Sequence, residues 1–434
     1  MARALLAVSG LSRPLSVSCG GYELIPPGPK EVFKSEGGSL RQWGPSTAVE
    51  KWARVGVKEL ILEPGGMLLP QYSNAQSLGY VLEGSARAEL IDPVVPTSLR
   101  RLKQGDVVVL PEGHVFGLHN DGSEIFKILG VDRGTERACG LDSPTNFTLF
   151  GNRDDKSGGA SILNGFSKDV LAAAFNVDEP TVEQLLPSEK GASIIKLDKK
   201  KRGRGRAHGP TRAAVDWPLG DMRFNLEETP PDIVNKGGSY KAVTVSRLPS
   251  LEKVDISAAY ATLKPDAIFA PSRYFPAHRV TYFTRGKGRI QVAAPGGTNA
   301  LDQEVSAGQL VVIPKNFPFI TMAARDSPLE WVDLYMACSS LCFCFVAGND
   351  SVYKALPFDW LVTGFNADPE IEKVVLRART DDAFISTRPP KKAVVSSGPT
   401  RAAKSTRPHL LTEHLKTSSA RYLVGRWDAP EGNM

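Results

Sequence analysis

Histidine is scarce in this chain, with six residues in 434, and cysteine is scarcer at five. These are common side-chain ligands of transition metals, so where they stand matters. The cysteines (Cys19, Cys139, Cys338, Cys342, Cys344) are odd in number and lack zinc-finger spacing. That speaks against a disulfide-framed module and for a reducing compartment. Cys342 and Cys344, one residue apart in an apolar run, read as small buried hydrophobes. Long hydrophobic runs are missing too. The nearest, LYMACSSLCFCFVAG from Leu334, is interrupted by serines and reads as two sheet strands, short of the roughly 18 to 20 apolar residues of a membrane span. No acid precedes Glu23. That opening, with Arg3, Arg13 and several serines, has an apolar stretch too short for a secretory core. It fits either a disordered extension over residues 1–21 or an organelle transit peptide.

What the chain has is a repeat. PGGMLLPQYSNAQSLGYVLEGSARAEL, from Pro64, returns as KPDAIFAPSRYFPAHRVTYFTRGKGRIQV, from Lys264. Pro70 aligns with Pro271, Tyr80 with Tyr282 and Gly84 with Gly286, and GDVVVLPEG from Gly105 is answered by GQLVVIPKN from Gly308. A repeat of this length is a duplicated folding unit, which predicts two homologous halves. Length and composition, 41% hydrophobic and 23% charged, suffice for two buried cores.

The net charge of +6 sits in appendages. KKKRGRGR, at 199–206, holds six uncompensated positives, and the tail from Arg388 carries nine Lys/Arg against three Asp/Glu. The body between them is net acidic. A phosphate-seeking role for the basic run is one reading, but no aromatic residues interleave it. It reads as a solvated linker over 198–218, and no specific nucleic-acid partner is expected. The tail, residues 388–434, is rich in Ser, Thr, Lys and Arg and is expected to be disordered.

Between these appendages the pattern is mainly β. Short Val-, Ile- and Leu-rich runs such as VGVKELILEPG and GDVVVLPEG, broken by Gly, Pro and Asn, predict barrels or sandwiches. Each half ends in a helical piece. Ser167 is placed to cap a helix with Val170, Leu171 and Ala174 on one face, and Asp178 and Pro180 begin another with Val182, Leu185 and Leu186. The second half replies with LPFDWLVTGFNADPEIEKVVL, in which Phe365-Asn366-Ala367-Asp368 matches Phe175-Asn176-Val177-Asp178. The expected units are 22–197 and 219–387, each a barrel with a helical appendix.

Gly105, Pro111 and Gly113, with Asn120 beyond, match the G-x5-P-x-G signature of cupins. The resemblance implies two jelly-roll barrels in tandem. In metal-dependent cupins, strand residues i and i+2 both face inward, and the family's G-x5-H-x-H signature with a later Glu and His uses that spacing to build a metal centre. Counted from Gly65, those places fall on Gln71, Ser73, Leu78 and Phe116, and in the second half on Ser272, Tyr274, Arg279 and Phe319. None is a metal-ligand type, so the resemblance implies no metal and no catalytic residue at these positions. His114 could share the Phe116 face, His119 should face the other way, and His278 stands alone beside Arg279. His409 and His414 are not at i, i+4 spacing.

Within the cupins the chain resembles legumin-type (11S) seed storage globulins and their shorter storage-like plant relatives. LLPQYSNAQSLGYVLEG, GFSKDVLAAAFNVD, GASIIKLD, FNLEET and AGNDSVYKALP carry the likeness. It implies trimers clasped by the helical appendices. The legumin cleavage dipeptide is missing before Phe224-Asn225-Leu226-Glu227-Glu228-Thr229, and Thr229-Pro230-Pro231 stands near the place of the linking cysteine. The expectation is therefore a non-catalytic, cofactor-free, nutrient-reservoir-like bicupin, intracellular and cytoplasmic unless the extension directs organelle import. A small-molecule-binding bicupin is the alternative, with the eight barrel positions orienting an unknown ligand, and an oxidase- or dioxygenase-type metal cupin is a further one.

Overall fold

The computed structural model describes residues 22–44, 47–91, 101–134, 145–150, 161–186, 193–197, 222–338, 343–381 and 383–386. The extension, the basic run, the tail, and Cys19, Cys139 and Cys342 lie outside them. Strands form where apolar residues alternate, and they assemble into two jelly rolls. The first half contributes β1 (Lys30–Ser35), β2 (Gly38–Trp43), β3 (Gly56–Leu62), β4 (Gly66–Ser73), β5 (Ala75–Glu83), β6 (Ser85–Ile91) and β7 (Leu102–Lys103). After these come β8 (Asp106–Leu110), β9 (Val115–His119), β10 (Phe126–Gly134), β11 (Asn146–Thr148) and β12 (Ile194–Lys196). One sheet runs β1-β2-β3-β10-β5-β8 and the facing sheet β11-β4-β9-β6-β7, with β12 returning to pair with β4.

The second half repeats the scheme with β14 (Ile233–Val234), β15 (Gly238–Val243), β16 (Ser257–Leu263), β17 (Ala267–Tyr274), β18 (Arg279–Ala293), β19 (Asn299–Ser306) and β20 (Leu310–Ile313). β21 (Phe319–Ala323), β22 (Leu329–Tyr335), β23 (Phe343–Phe345) and β24 (Phe384–Ser386) complete it. The run read as two strands is β22 and β23. One 15-residue strand, β18, serves both layers: Arg279–Gly286 pairs with β22, and Lys287–Ala293 with β19. The turns show why the repeat keeps Gly84 and Gly286. Both have positive φ (73° and 79°), and a Cβ would lie 2.2 Å from the Ile125 oxygen or 1.7 Å from that of Pro328, so only glycine fits.

The halves exchange their leading segments. β13 (Arg223–Asn225) opens the second half yet adds to the first barrel beside β8, pairing Arg223 with Val108. Reciprocally, Val312 N–H on β20 donates to the Leu24 carbonyl at 2.8 Å. The two outer sheet faces then pack together: Val57, Leu78, Tyr80, Val109 and Val131 share one core cluster with Val280, Tyr282, Val312 and Val332. Tyr282 donates to the buried Glu59 at 3.2 Å across this contact. The inward residues of the first barrel, including Leu62, Val81, Val108 and Phe126, form a cluster of their own.

Helices follow each barrel: α1 (Lys168–Phe175), α2 (Glu179–Leu185), then α3 (Val352–Ala355), α4 (Phe358–Phe365) and α5 (Pro369–Ala378). Ser167 is the N-cap residue of α1 but makes no side-chain cap bond, whereas Asp178 and Asp368 accept from Thr181 N and Glu370 N. Asn176 and Asn366 end their helices in the left-handed region, φ 56° and 50°, a place asparagine tolerates. The apolar faces are covered only in part. Leu171 and Val182 are buried, but Val170, Leu185, Trp360 and Val374 are each more than half exposed. Val170, Leu171 and Ala174 lie together on α1 as the spacing predicts, but of the three only Leu171 is buried.

Candidate functional site

In each barrel the inward rungs lie where β5 meets β10, or where β18 meets β22. The first barrel stacks Ser77 opposite Asp132, Gly79 opposite Gly130 and Val81 opposite Ile128. The second stacks Arg279 opposite Tyr335, Thr281 opposite Asp333 and Phe283 opposite Trp331. Every rung is smaller in the first barrel. That difference, partly offset by Lys58 and Leu60 where the second barrel has Ala259 and Ala261, leaves one barrel hollow and the other filled.

The hollow of about 120 Å³ is bordered by Gln71, Leu78 and Phe116 among the anticipated residues. Gln71 on β4 and Phe116 on β9 are register partners. Ser73 lies at the end of β4, where its hydroxyl donates to Thr145 O at 3.2 Å and accepts from Ala75 N–H at 3.1 Å, and it lines an adjoining annex of about 50 Å³. Leu78 borders the hollow, but its side chain faces away from it. It pairs with Val131, and its side chain belongs to the inter-barrel cluster; the inward residue is Ser77, one position earlier. Ser77 donates to Asp132 Oδ1 at 2.7 Å, and Lys58 Nζ meets Asp132 Oδ2 at 2.7 Å. These three polar groups were not anticipated. The available signal was a Lys and an Asp at inward phase in VGVKELI and ILGVDRG. The Lys58 stem crosses Gly130, where a Cβ would meet its Cγ and Cε at 3.2 Å, so the glycine lets the ammonium reach Asp132.

The second barrel is an aromatic plug around a buried charge. Phe269 stacks on Phe319 at 5.8 Å and meets Trp331 edge-on at 6.1 Å. The Arg279 guanidinium lies 3.9 Å over the Phe319 ring and 3.4 Å from Asp333 Oδ2. Asp333 also accepts from Thr281 Oγ1 at 2.6 Å, Trp331 Nε1 at 2.9 Å and Tyr335 Oη at 3.2 Å. Burial, the largest single influence, would lower the Arg279 pKa, but Asp333, Tyr335 and Tyr240 together outweigh it and hold the guanidinium above its ordinary value. Among the described residues Nε and Nη2 find no well-directed hydrogen-bond partner, nor does Ser272 Oγ. Ser272 pairs with Phe319, and Tyr274 rests on Tyr335 with ring centroids 4.5 Å apart. The four second-half positions thus converge on one interior.

Among the described residues no three His, Cys, Asp or Glu side chains are grouped to hold a metal ion. His114 Nδ1 contacts the Glu112 carbonyl at 3.1 Å, and His278 Nδ1 accepts from Lys315 N–H at 3.2 Å. His119 lies between Leu118 and Asn120 on β9 with its phase opposite to the inward Leu118, as expected.

The cupin family model matches residues 24–183 and 224–373, one stretch per barrel. The chain belongs to the cupin family. With one match in each barrel it is a bicupin, and along both barrels it is similar to 11S seed storage globulins. The 11S globulin of Juglans nigra is 24% identical over 88% of this chain and 92% of that protein. The 11S globulin seed storage protein 1 of Carya illinoinensis is 26% identical, covering 83% and 88%. Among solved structures, procruciferin, an 11S globulin from Brassica napus, superposes with a TM-score of 0.75 at 24% identity, covering 86% of this chain and 98% of that one. In this bicupin the mainly β tandem architecture with helical appendices is as the sequence implied.

Proposed function

We propose that this cupin is a non-catalytic nutrient-reservoir protein, assembled as a homotrimer and held inside the cell. The carrying observation is the donor set of the barrel interiors. The inward positions offer amide, hydroxyl, phenol, guanidinium and hydrocarbon, and the one carboxylate in each barrel is tied up in hydrogen bonds and an ion pair. The Ser77 and Thr281 hydroxyls do lie against these carboxylates, but Lys58 and Arg279 pair with the same carboxylates, so neither acts as a free base. The relatives' names, seed storage proteins, support the reservoir role. The trimer is supported by the exposed apolar faces of α1–α5, with Trp360 65%, Val374 67% and Ile371 58% accessible; exposed apolar stretches of this kind mark association sites. The free thiols of Cys338 and Cys344 accord with a reducing compartment. Purified full-length protein is expected to contain no stoichiometric Mn, Fe, Cu or Zn and to have trimer mass by light scattering. Stoichiometric metal accompanied by turnover would overturn the non-catalytic reading, and a clean monomer would overturn the assembly.

A further inference from the structure

The two barrels differ in one respect that storage does not require: the first encloses space at its narrowest rungs and lines it as a site. Its inner wall is Leu60, Leu68, Leu118 and Ile128, while Lys58, Gln71, Ser77 and Asn146 border both the cavity and its annex. The polar groups therefore gather at the mouth, and hydrocarbon lies behind them. At about 120 Å³ the space is a little smaller than the engineered cavity of about 150 Å³ that holds benzene.

We propose that the first barrel binds one small neutral amphiphile, a single-ring phenol or a cyclic alcohol of similar size, with its hydroxyl at Lys58, Gln71 and Asn146. The charge balance selects a neutral head. Asp132 is engaged on both oxygens, by Lys58 and Ser77, so the pair is neutral as it stands. A carboxylate ligand would leave a net negative charge without a partner, and an ammonium would compete with Lys58. Lys58 has three donors, of which the Asp132 bond uses one. The remaining ammonium donors of Lys58 can serve a hydroxyl oxygen, whose own proton can go to an amide carbonyl of Gln71 or Asn146, both at the mouth. The second barrel has no such place, because Thr281, Asp333, Phe283 and Trp331 occupy the equivalent rungs.

Ligand-observed NMR with phenol on the full chain tests the site. Saturable binding is expected, with toluene, which has no acceptor, and benzoate, which adds a charge, each at least about tenfold weaker. Leu118→Phe should abolish the phenol signal by filling the wall. Should that variant not fold, Leu118→Ala enlarges the cavity and should bind 4-ethylphenol at least about threefold more tightly than the unaltered chain does. The absence of saturable phenol binding, a preference for benzoate, or unchanged binding in folded Leu118→Phe would overturn the proposal. The reservoir reading does not depend on this site and is tested separately by metal content and native mass.

Discussion

Asp333 is fully buried and gathers four donors, including the Arg279 guanidinium. Removing its charge leaves Arg279 uncompensated inside an aromatic box, so Asp333→Asn should cost about 3–5 kcal/mol of stability. Urea unfolding would measure it, and a loss under about 1 kcal/mol would mean that the cation is solvated after all. Arg279→Met should cost less, since Asp333 keeps three hydrogen bonds. His278 gives a pH-dependent counterpart. Burial first, then Lys315 and Arg54, hold its pKa below the ordinary value. The unfolded chain therefore takes up its proton before the folded chain does, and stability falls as pH drops below about 6.5, the ordinary histidine value. His278→Asn should flatten the change in urea midpoint between pH 7.5 and 5.5, and an unchanged slope would assign that change to other groups. Of these groups the count from the motif reached Arg279 but not Asp333, and in the first barrel it fell one residue from the inward Ser77. The count from Gly65 put the carboxylate place on Leu78, and a slip of one flips a strand residue to the other face. The alignment of Tyr80 with Tyr282 contained the remedy, because it sets Arg279 over Ser77.

At the scale of elements, the repeat and the strand pattern were sufficient for the two barrels, and local capping chemistry for the helices. The exchange of leading strands was not legible, since Phe224-Asn225-Leu226 is as compatible with its own barrel as with the other; only the register of β13 on β8 decides it. Asp106, with no exposed surface, fastens that arm. It accepts from Lys103 N–H at 2.8 Å, Arg223 Nη1 at 3.1 Å and Asn225 Nδ2 at 2.9 Å. Asp106→Ala leaves those donors to water at the sheet edge and should loosen β13. Amide exchange of Arg223 to Asn225 should then accelerate by at least about tenfold, the effect of losing a little over 1 kcal/mol of local protection. Equal exchange in both proteins would show that backbone pairing alone holds the arm.

For the whole molecule, the shared cluster matters more than either barrel. Val57, Leu78, Tyr80 and Val131 from one half are buried against residues such as Val280, Tyr282 and Val332 from the other, and each such side chain contributes about 1.5–3 kcal/mol by leaving water. Arg133 reaches Asp255 at 2.5 Å and Tyr282 reaches Glu59 at 3.2 Å over the same boundary. Unfolding one half would expose this surface and also strip β13 from β8 and the Leu24 carbonyl from Val312 N–H. An intermediate with one barrel folded therefore forfeits interactions that belong to both. Scanning calorimetry of the full chain should show one transition, with the calorimetric enthalpy matching the van't Hoff value for the barrels as a unit. Two resolved peaks, each with the enthalpy of about half the chain, would mean that the exchanged strands and the common core are too weak to couple the repeats.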